Sequence, residues 1–354
     1  MIKYLGSKRS LVGWIVGVVE QIHAHTPIGA VADLFSGSAR VAHALKARGF
    51  YVYANDHATY AYTLARALVE ADRTIYPPER IQPLLDALMC LPPEHGWFTR
   101  AYCEQARYFR PENGGRIEAI RNAIAHYDDP TLQAVLLCSL MLAADKVDST
   151  TGLQMAYLKR WAPRAFNPLQ LRYPPLLPGT GKAFQADALE LANTLDADLF
   201  YLDPPYNQHA YLANYHVWET LVLWDCPETY GIARKRVDIK HRKSPFNART
   251  QARDAMAYLV NQIRAPHLLV SFNNEGYLTR EALEAILREW GYVRCFERPY
   301  RRYVGAQIGI YNPRGEKVGQ VSHTHNKEML FVATKYRSVA DALGEADTQP
   351  PTHG

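Results

Sequence analysis

The chain has 354 residues and sets 40 Lys and Arg against 35 Asp and Glu, a formal charge of +5. That length can bury a large core and suits two domains, or one enlarged α/β domain with insertions. No run of about 18 apolar residues stands out as a bilayer span, the N-terminus lacks a signal-peptide profile, and the five cysteines form no Cys-x-x-Cys pair, so a cytoplasmic protein with reduced thiols is expected.

The first segment, Lys3-Tyr4-Leu5-Gly6-Ser7-Lys8, leads into an apolar helical pattern over residues 11–22. Residues 30–35 then read as a short buried strand ending in Asp33-Leu34-Phe35, a small-residue loop Ser36-Gly37-Ser38, and a helix over 41–48 closed by Gly49. A second strand over 51–54 ends at Asn55-Asp56, and a helix follows over 60–70. Strand, glycine turn, helix, strand and acid make the nucleoside half of a doubly wound sheet, with Asp56 about 20 residues beyond the glycine, where an acid binds ribose hydroxyls. Gly-x-Gly-x-x-Gly is absent, so a nucleoside without phosphates fits better than a pyrophosphate.

Residues 74–144 read as mostly helical, with loops at 77–78, 92–93 and 111–115 and a buried helix over 131–145. Over residues 146–181 regular periodicity is lost, and Lys159, Arg160 and Arg164 alternate with aromatics as in a nucleic-acid surface. The sheet resumes over 182–187, followed by a short helix over 188–195. The segment 58–181 is therefore expected to be a helical insertion, with 1–57 and 182–338 forming the main domain.

The next strand, Leu199-Phe200-Tyr201-Leu202, stops at Asp203-Pro204-Pro205-Tyr206. Two prolines fix φ twice and supply no N–H, so the turn is stiff and Asp203 stands at a strand's C-terminal edge, where open α/β sheets place their chemistry. A carboxylate, a neighbouring carbonyl and the Tyr206 face can hold a flat heterocycle with an exocyclic NH2, the oxygens accepting both hydrogens. The same tetrapeptide also starts ordinary loops.

Residues 208–253 form a second excursion rich in Tyr, His, Arg and Lys. Its Arg234, Lys235, Arg236, Lys240, Arg242 and Lys243 read as phosphate contacts by clustering, or else as a solvated face. A helix over 254–264, a core strand over 267–272 ending at Asn273-Asn274, a helix over 280–290, a segment over 292–303 and a last strand over 328–334 complete the alternation, and residues 340–354 read as a disordered tail. His323-Thr324-His325 lacks a clear third ligand, so no metal is expected.

Three separated segments, Lys3 to Lys8, Asp33 to Ser38 and Asp203 to Tyr206, resemble in that order the N6-adenine DNA methyltransferases of the alpha group, the family of restriction-modification and Dam-type enzymes. The resemblance implies an α/β fold, a doubly wound, Rossmann-like methyltransferase sheet with an inserted, mostly helical target-recognition subdomain. It also implies S-adenosyl-L-methionine as donor, double-stranded DNA as partner, and a cognate restriction endonuclease acting on the same site. Residue by residue, it implies that Tyr4 and Lys8 lie beside the donor, that Asp33, Phe35, Ser36 and Gly37 form its loop, that Asp56 holds the ribose, and that Asp187 lies near its adenine edge. Asp203, Pro204, Pro205 and Tyr206 match the catalytic turn, and Arg301, Arg302 and Tyr303 match a late motif beside the flipped base. Ser38-Ala39 departs from the family pattern by standing where a second glycine is usual. An RNA base methyltransferase, an N4-cytosine enzyme (which would favour Ser in place of Asp203) and a catalytically silent DNA-binding protein on the same scaffold stay open.

Overall fold

The computed structural model describes residues 1–208, 210–301, 310–311, 317–319 and 325–343. The chain begins with α1 (Val12–His25), whose Ile15, Val18, Val19 and Ile22 are buried, and enters the sheet at β1 (Ala30–Asp33). Next come α2 (Arg40–Lys46), β2 (Tyr51–Asn55) and α3 (Thr59–Ala65), which continues as a π-helical turn over Arg66–Glu70. The insertion supplies α4 (Pro78–Met89), α5 (Pro111–Ile124) and α6 (Pro130–Val147), and the chain returns through β3 (Gly181–Phe184), α7 (Ala188–Leu191) and β4 (Leu199–Leu202). Beyond the Asp203–Tyr206 turn come α8 (His216–Leu223), α9 (Ala252–Gln262), β5 (His267–Asn273), α10 (Arg280–Trp290), β6 (Tyr292–Arg301), β7 (His325–Thr334) and α11 (Arg337–Ala342).

One seven-stranded sheet runs β3-β2-β1-β4-β5-β7-β6. Its first five strands are parallel, and β7 lies antiparallel between β5 and β6. The order reverses between β1 and β4, so the loops after Asp33 and Leu202 open side by side at the switch point, where such sheets bind ligands.

Alternation along the strands divides the core in two. Val31, Val52, Leu199 and Tyr201 face α1 to α3 and the insertion, while Ala32, Phe200, Leu202, Leu268 and Val270 face α9 and α10. Leu85, Ile117, Leu136 and Leu140 of the insertion belong to the same packed cluster as Val31 and Val52. The insertion thus covers one face of the sheet.

Three local readings change. The loop expected over 111–115 is the first turn of α5: Pro111 takes the first helical position, where its missing N–H costs nothing. Gly114 and Gly115 are there for contact, since a Cβ would lie 2.2 Å from the Cys103 sulfur and 2.8 Å from the Glu94 carbonyl. Second, α6 is 18 residues long and apolar enough to cross a membrane, but 72% of it is buried inside the fold. Third, the tail expected from residue 340 begins as helix, with Val339, Ala340 and Leu343 buried, while residues 344–354 lie outside the described residues.

Candidate active site

Backbone contacts at the tips of β1 and β2 build one wall. The Ser36 N–H donates to the Asn55 carbonyl (2.8 Å), and Gly37 turns into the left-handed region at φ +50°. Asp56 then binds the loop from the next strand: one carboxylate oxygen accepts from the Gly37 N–H (2.9 Å), the other from the Ala58 N–H (3.0 Å). The oxygen facing Gly37 keeps a second lone pair for a ligand hydroxyl, while the one facing Ala58 also has the His57 ring nitrogen 3.6 Å away. Asn55 stitches the neighbouring loops together, donating to the carbonyls of Leu34 (3.1 Å) and Ala186 (3.2 Å) and accepting from the Ala186 N–H (3.1 Å). Asp187 is exposed and caps α7 through the Leu189 N–H (2.9 Å).

These loops border a cavity open to solvent. Leu34, Phe35, Ala58, Ala188 and Phe246 give it apolar walls, Asp56 and Asp187 give it carboxylates, and Asp203 and Pro205 line it as well. A Cβ on Gly37 would approach the Tyr4 ring to 3.0 Å, so the loop lies directly on that ring. Tyr4 is stacked between Tyr211 (5.3 Å) and Tyr215 (4.7 Å), which fixes its plane. The Ser36 hydroxyl is buried beside this loop and is without a partner among the described residues. Apolar walls, the Asp56 carboxylate and the Ser36 hydroxyl suit a nucleoside with a polar extension.

Across the switch point, Asp203 caps β4 and receives Lys8. The Lys8 ammonium is 3.1 Å from a carboxylate oxygen of Asp203 and 3.9 Å from one of Glu328 on β7. The Lys8 side chain is 6% exposed and that of Asp203 is 18% exposed. Burial pushes the Asp203 carboxyl above its usual range while Lys8 pulls it back. For Lys8, burial works against the charge, but the carboxylates of Asp203 and Glu328 outweigh it and the ammonium is held charged. Asp33, buried at the tip of β1, is pushed well up by burial and then by Asp203, with the Phe35 N–H opposing. The Tyr206 ring packs at 62° against Phe272, with centroids 5.5 Å apart, and its backbone carbonyl accepts from the Tyr277 N–H (2.8 Å). Lys8 thus lines a small pocket with Tyr4, Ser36 and Gly37, the side expected for the donor, while its ammonium is held on Asp203.

The basic residues separate into distinct environments. Arg236 is 3% exposed and forms ion pairs with Asp225 (2.6 Å) and Asp238 (2.9 Å), so its guanidinium is an interior anchor and not the phosphate contact its position in a basic run suggests. Arg242 pairs with the buried Glu219 (2.7 Å), and Arg164 pairs with Asp148 (2.6 Å). Arg234 and Lys235 are half-buried, whereas Lys159, Arg160, Lys240 and Lys243 are exposed. Lys240 lies over the Tyr230 ring at 4.0 Å, and Lys243 lines the cavity. Arg301 ends β6, and Arg302 and Tyr303 lie outside the described residues. His323 and Thr324 lie outside them too, and among the described residues no three His, Cys, Asp or Glu side chains gather as a metal site. Glu219 and Glu328 carry no sequence signal: each is a lone acid in a helix or strand, brought to the site from a distant element.

Residues 4–286 match the family described as D12 class N6 adenine-specific DNA methyltransferase. The modification methylase StsI of Streptococcus sanguinis is 32% identical over 325 residues, covering 86% of this chain and 49% of that protein. The type II methyltransferase M.NlaIII of Neisseria lactamica is 30% identical over 338 residues, covering 92% of this chain and 99% of that protein. M.FokI of Planomicrobium okeanokoites is 30% identical over 323 residues, covering 85% and 49%. The chain thus spans about half the length of StsI and M.FokI and nearly all of M.NlaIII. Among solved structures, it aligns with magnesium protoporphyrin IX methyltransferase of Synechocystis PCC 6803 over 92% of its length and 76% of that chain, at 11% identity and a TM-score of 0.32.

Proposed function

The chain belongs to the D12 class of N6 adenine-specific DNA methyltransferases, and from that premise we propose that it methylates N6 of an adenine extruded from duplex DNA, with S-adenosylmethionine as donor. The observation that carries this reading is the placement of Asp203 and Pro205 on the wall of the same cavity as Asp56 and Phe35. An acceptor for an amine and a pocket for a nucleoside share one space.

The cavity suits the donor on its own terms. Asp56 would accept the ribose hydroxyls, Leu34, Phe35, Ala58 and Ala188 would flank the base with Asp187 at the rim, and the Ser36 hydroxyl, without a partner among the described residues, and the Gly37 backbone would hold the amino-acid end. When bound, the donor supplies an electrophilic sulfonium methyl. A target base inside a duplex is out of reach, so it must be flipped into the pocket. There Asp203 and the Pro204 carbonyl accept the two amine hydrogens and favour a tetrahedral nitrogen whose lone pair faces the methyl, while Tyr206 stacks on the ring. The N–C bond forms as the S–C bond breaks, and the nitrogen sheds a proton, for which Asp203 is the neighbouring oxygen acceptor. Holding both reactants aligned supplies a large share of the effect, on the order of 7–11 kcal/mol in well-oriented pairs.

In this reading residues 58–181 and 208–253 grip and read the DNA, with Lys159, Arg160, Lys240 and Lys243 as phosphate contacts. The protein is the modification half of a type II restriction-modification system, acts in the cytoplasm and protects sites from a cognate endonuclease. The direct test incubates the protein with methyl-labelled donor and unmethylated genomic DNA, then digests the DNA to nucleosides. Label in N6-methyldeoxyadenosine supports the reading; label in N4-methylcytosine, in added structured RNA alone, or nowhere contradicts it.

A further inference from the structure

Glu328 sits on β7 opposite Asn273 at the tip of β5, and a hydrogen bond from Asn273 reaches its carboxyl. It is 6% exposed. One of its oxygens, Oε2, is buried without a hydrogen-bond partner among the described residues, and that is the oxygen facing the Lys8 ammonium at 3.9 Å. A buried acceptor left unsatisfied costs about 1–3 kcal/mol, so its retention needs a reason. Lys8 lies between two carboxylates, bonded to Asp203 and just out of bonding range of Glu328.

This arrangement poses a problem for the transfer proposed above, on which the present inference rests. As the amine is methylated its nitrogen gains positive charge, and a Lys8 ammonium held on one oxygen of Asp203 both weakens the carboxylate as an acceptor and repels that charge. We propose that Glu328 is a positioning residue for methyl transfer: its free oxygen draws Lys8 off Asp203 when the target amine arrives. Lysine suits this role, since its ammonium is a point charge on a flexible stem and can exchange partners with a small swing. Asn273 and the paired strands hold Glu328 still while Lys8 moves. With Glu328 as a carboxylate, the Asp203–Lys8–Glu328 chain carries one net negative charge toward the nitrogen; with a neutral side chain there it carries none.

The test is the full-length Glu328→Gln protein, assayed with methyl-labelled S-adenosylmethionine and unmethylated genomic DNA, with donor affinity measured by calorimetry. The expected result is a ten- to hundred-fold fall in kcat, with the donor Kd and the KM for DNA within two-fold of wild type. Glu328→Asp, which keeps the charge but shortens its reach, restores part of kcat and serves as the readout if the Gln variant does not fold. A kcat within two-fold of wild type in Glu328→Gln, or no difference in kcat between wild type and Glu328→Asp where only the latter folds, overturns the proposal. Failure of the methylation reading itself is separate: the wild-type protein would then label no DNA.

Discussion

The Arg242 guanidinium lies 2.7 Å from a carboxylate oxygen of Glu219, a side chain with no exposed surface. The same carboxylate accepts from the Thr59 N–H (3.2 Å), the Thr59 hydroxyl (2.9 Å) and the Tyr60 N–H (3.0 Å). Arg242 also reaches the His57 carbonyl at 3.4 Å. The basic excursion after the catalytic turn is thus pinned to the turn that follows Asp56. Phe246 meets Phe35 edge-on at the cavity wall, and the Asn247 amide donates to the Asn207 carbonyl (2.7 Å), so the excursion walls the cavity and ties to the segment that follows Tyr206.

Removing Arg242 takes the counterion from the buried Glu219, whereas removing Glu219 leaves Arg242 with Asp238 at 3.6 Å but strips the Thr59 and Tyr60 N–H groups of their buried acceptor. Glu219→Ala is expected to lose about 3–5 kcal/mol of stability, read as a lower urea midpoint. Arg242→Met should lose less, because Glu219 keeps three donors. Both should weaken donor binding in calorimetry, and unchanged affinity in both would show that the excursion does not support the pocket.

Ala39 holds a left-handed backbone, φ +57°, with its methyl fully buried. The conformation costs roughly 1–2 kcal/mol for a residue with a Cβ. Glycine would relieve that, but it adds unfolded-state freedom of about 0.4–1 kcal/mol and forfeits a buried methyl worth about 0.8 kcal/mol. The opposing effects nearly cancel, so Ala39→Gly should match wild type within about 1 kcal/mol. Ala39→Val, whose branched Cβ fits this backbone poorly, should lose about 2 kcal/mol. A stable valine variant in thermal unfolding would contradict this.

Lys240 and Lys243 face solvent, whereas Arg236 is enclosed by Asp225 and Asp238. Each phosphate contact adds roughly 0.9 to the slope of log binding constant against log salt. Replacing both lysines by alanine should therefore flatten that slope by about 2. Arg236→Met should leave the slope alone and lower the melting temperature. The reverse pattern would return Arg236 to the DNA surface.

His216 is buried, its Nε2 lying 2.9 Å from the Gln154 carbonyl, and burial pulls its pKa from the ordinary range down to about 3. Between about 6.5 and 3 the unfolded chain binds a proton that the folded chain refuses. The stability is fully present above about 6.5 and falls as pH drops, by about 2 kcal/mol at pH 5. His43 and His267, also pulled down by burial, act in the same direction. The drop in urea midpoint from pH 7 to pH 5 should shrink in His216→Gln; an equal drop would remove His216 from the account.

The parts of the site legible in the sequence are those built by contiguous residues at strand tips. Asp33 to Gly37 and Asp203 to Tyr206 each put a strand end and its turn in one short window, and Asp56 follows at the length of one helix and strand. The residues that resist such reading depend on partners far along the chain. Arg236 looked like surface charge because a run of bases does not display Asp225 and Asp238 closing around one of them. Glu219 and Glu328 are isolated acids whose meaning comes only when helix packing and antiparallel pairing bring them to Arg242 and Lys8. That residues 58–181 interrupt the sheet is legible from the strand pattern on either side, but which face of β1 and β2 their helices cover is visible only in the packing.

In the proposed mechanism Asp203 shapes the target amine and does not hold the donor. That role is tested most directly by Asp203→Ala, measured for donor affinity by calorimetry and for single-turnover methyl transfer to unmethylated genomic DNA. Transfer is expected to fall at least about a hundred-fold while the donor Kd stays within two-fold of wild type. Transfer at the wild-type rate, or a loss explained wholly by failure to bind donor, would contradict it.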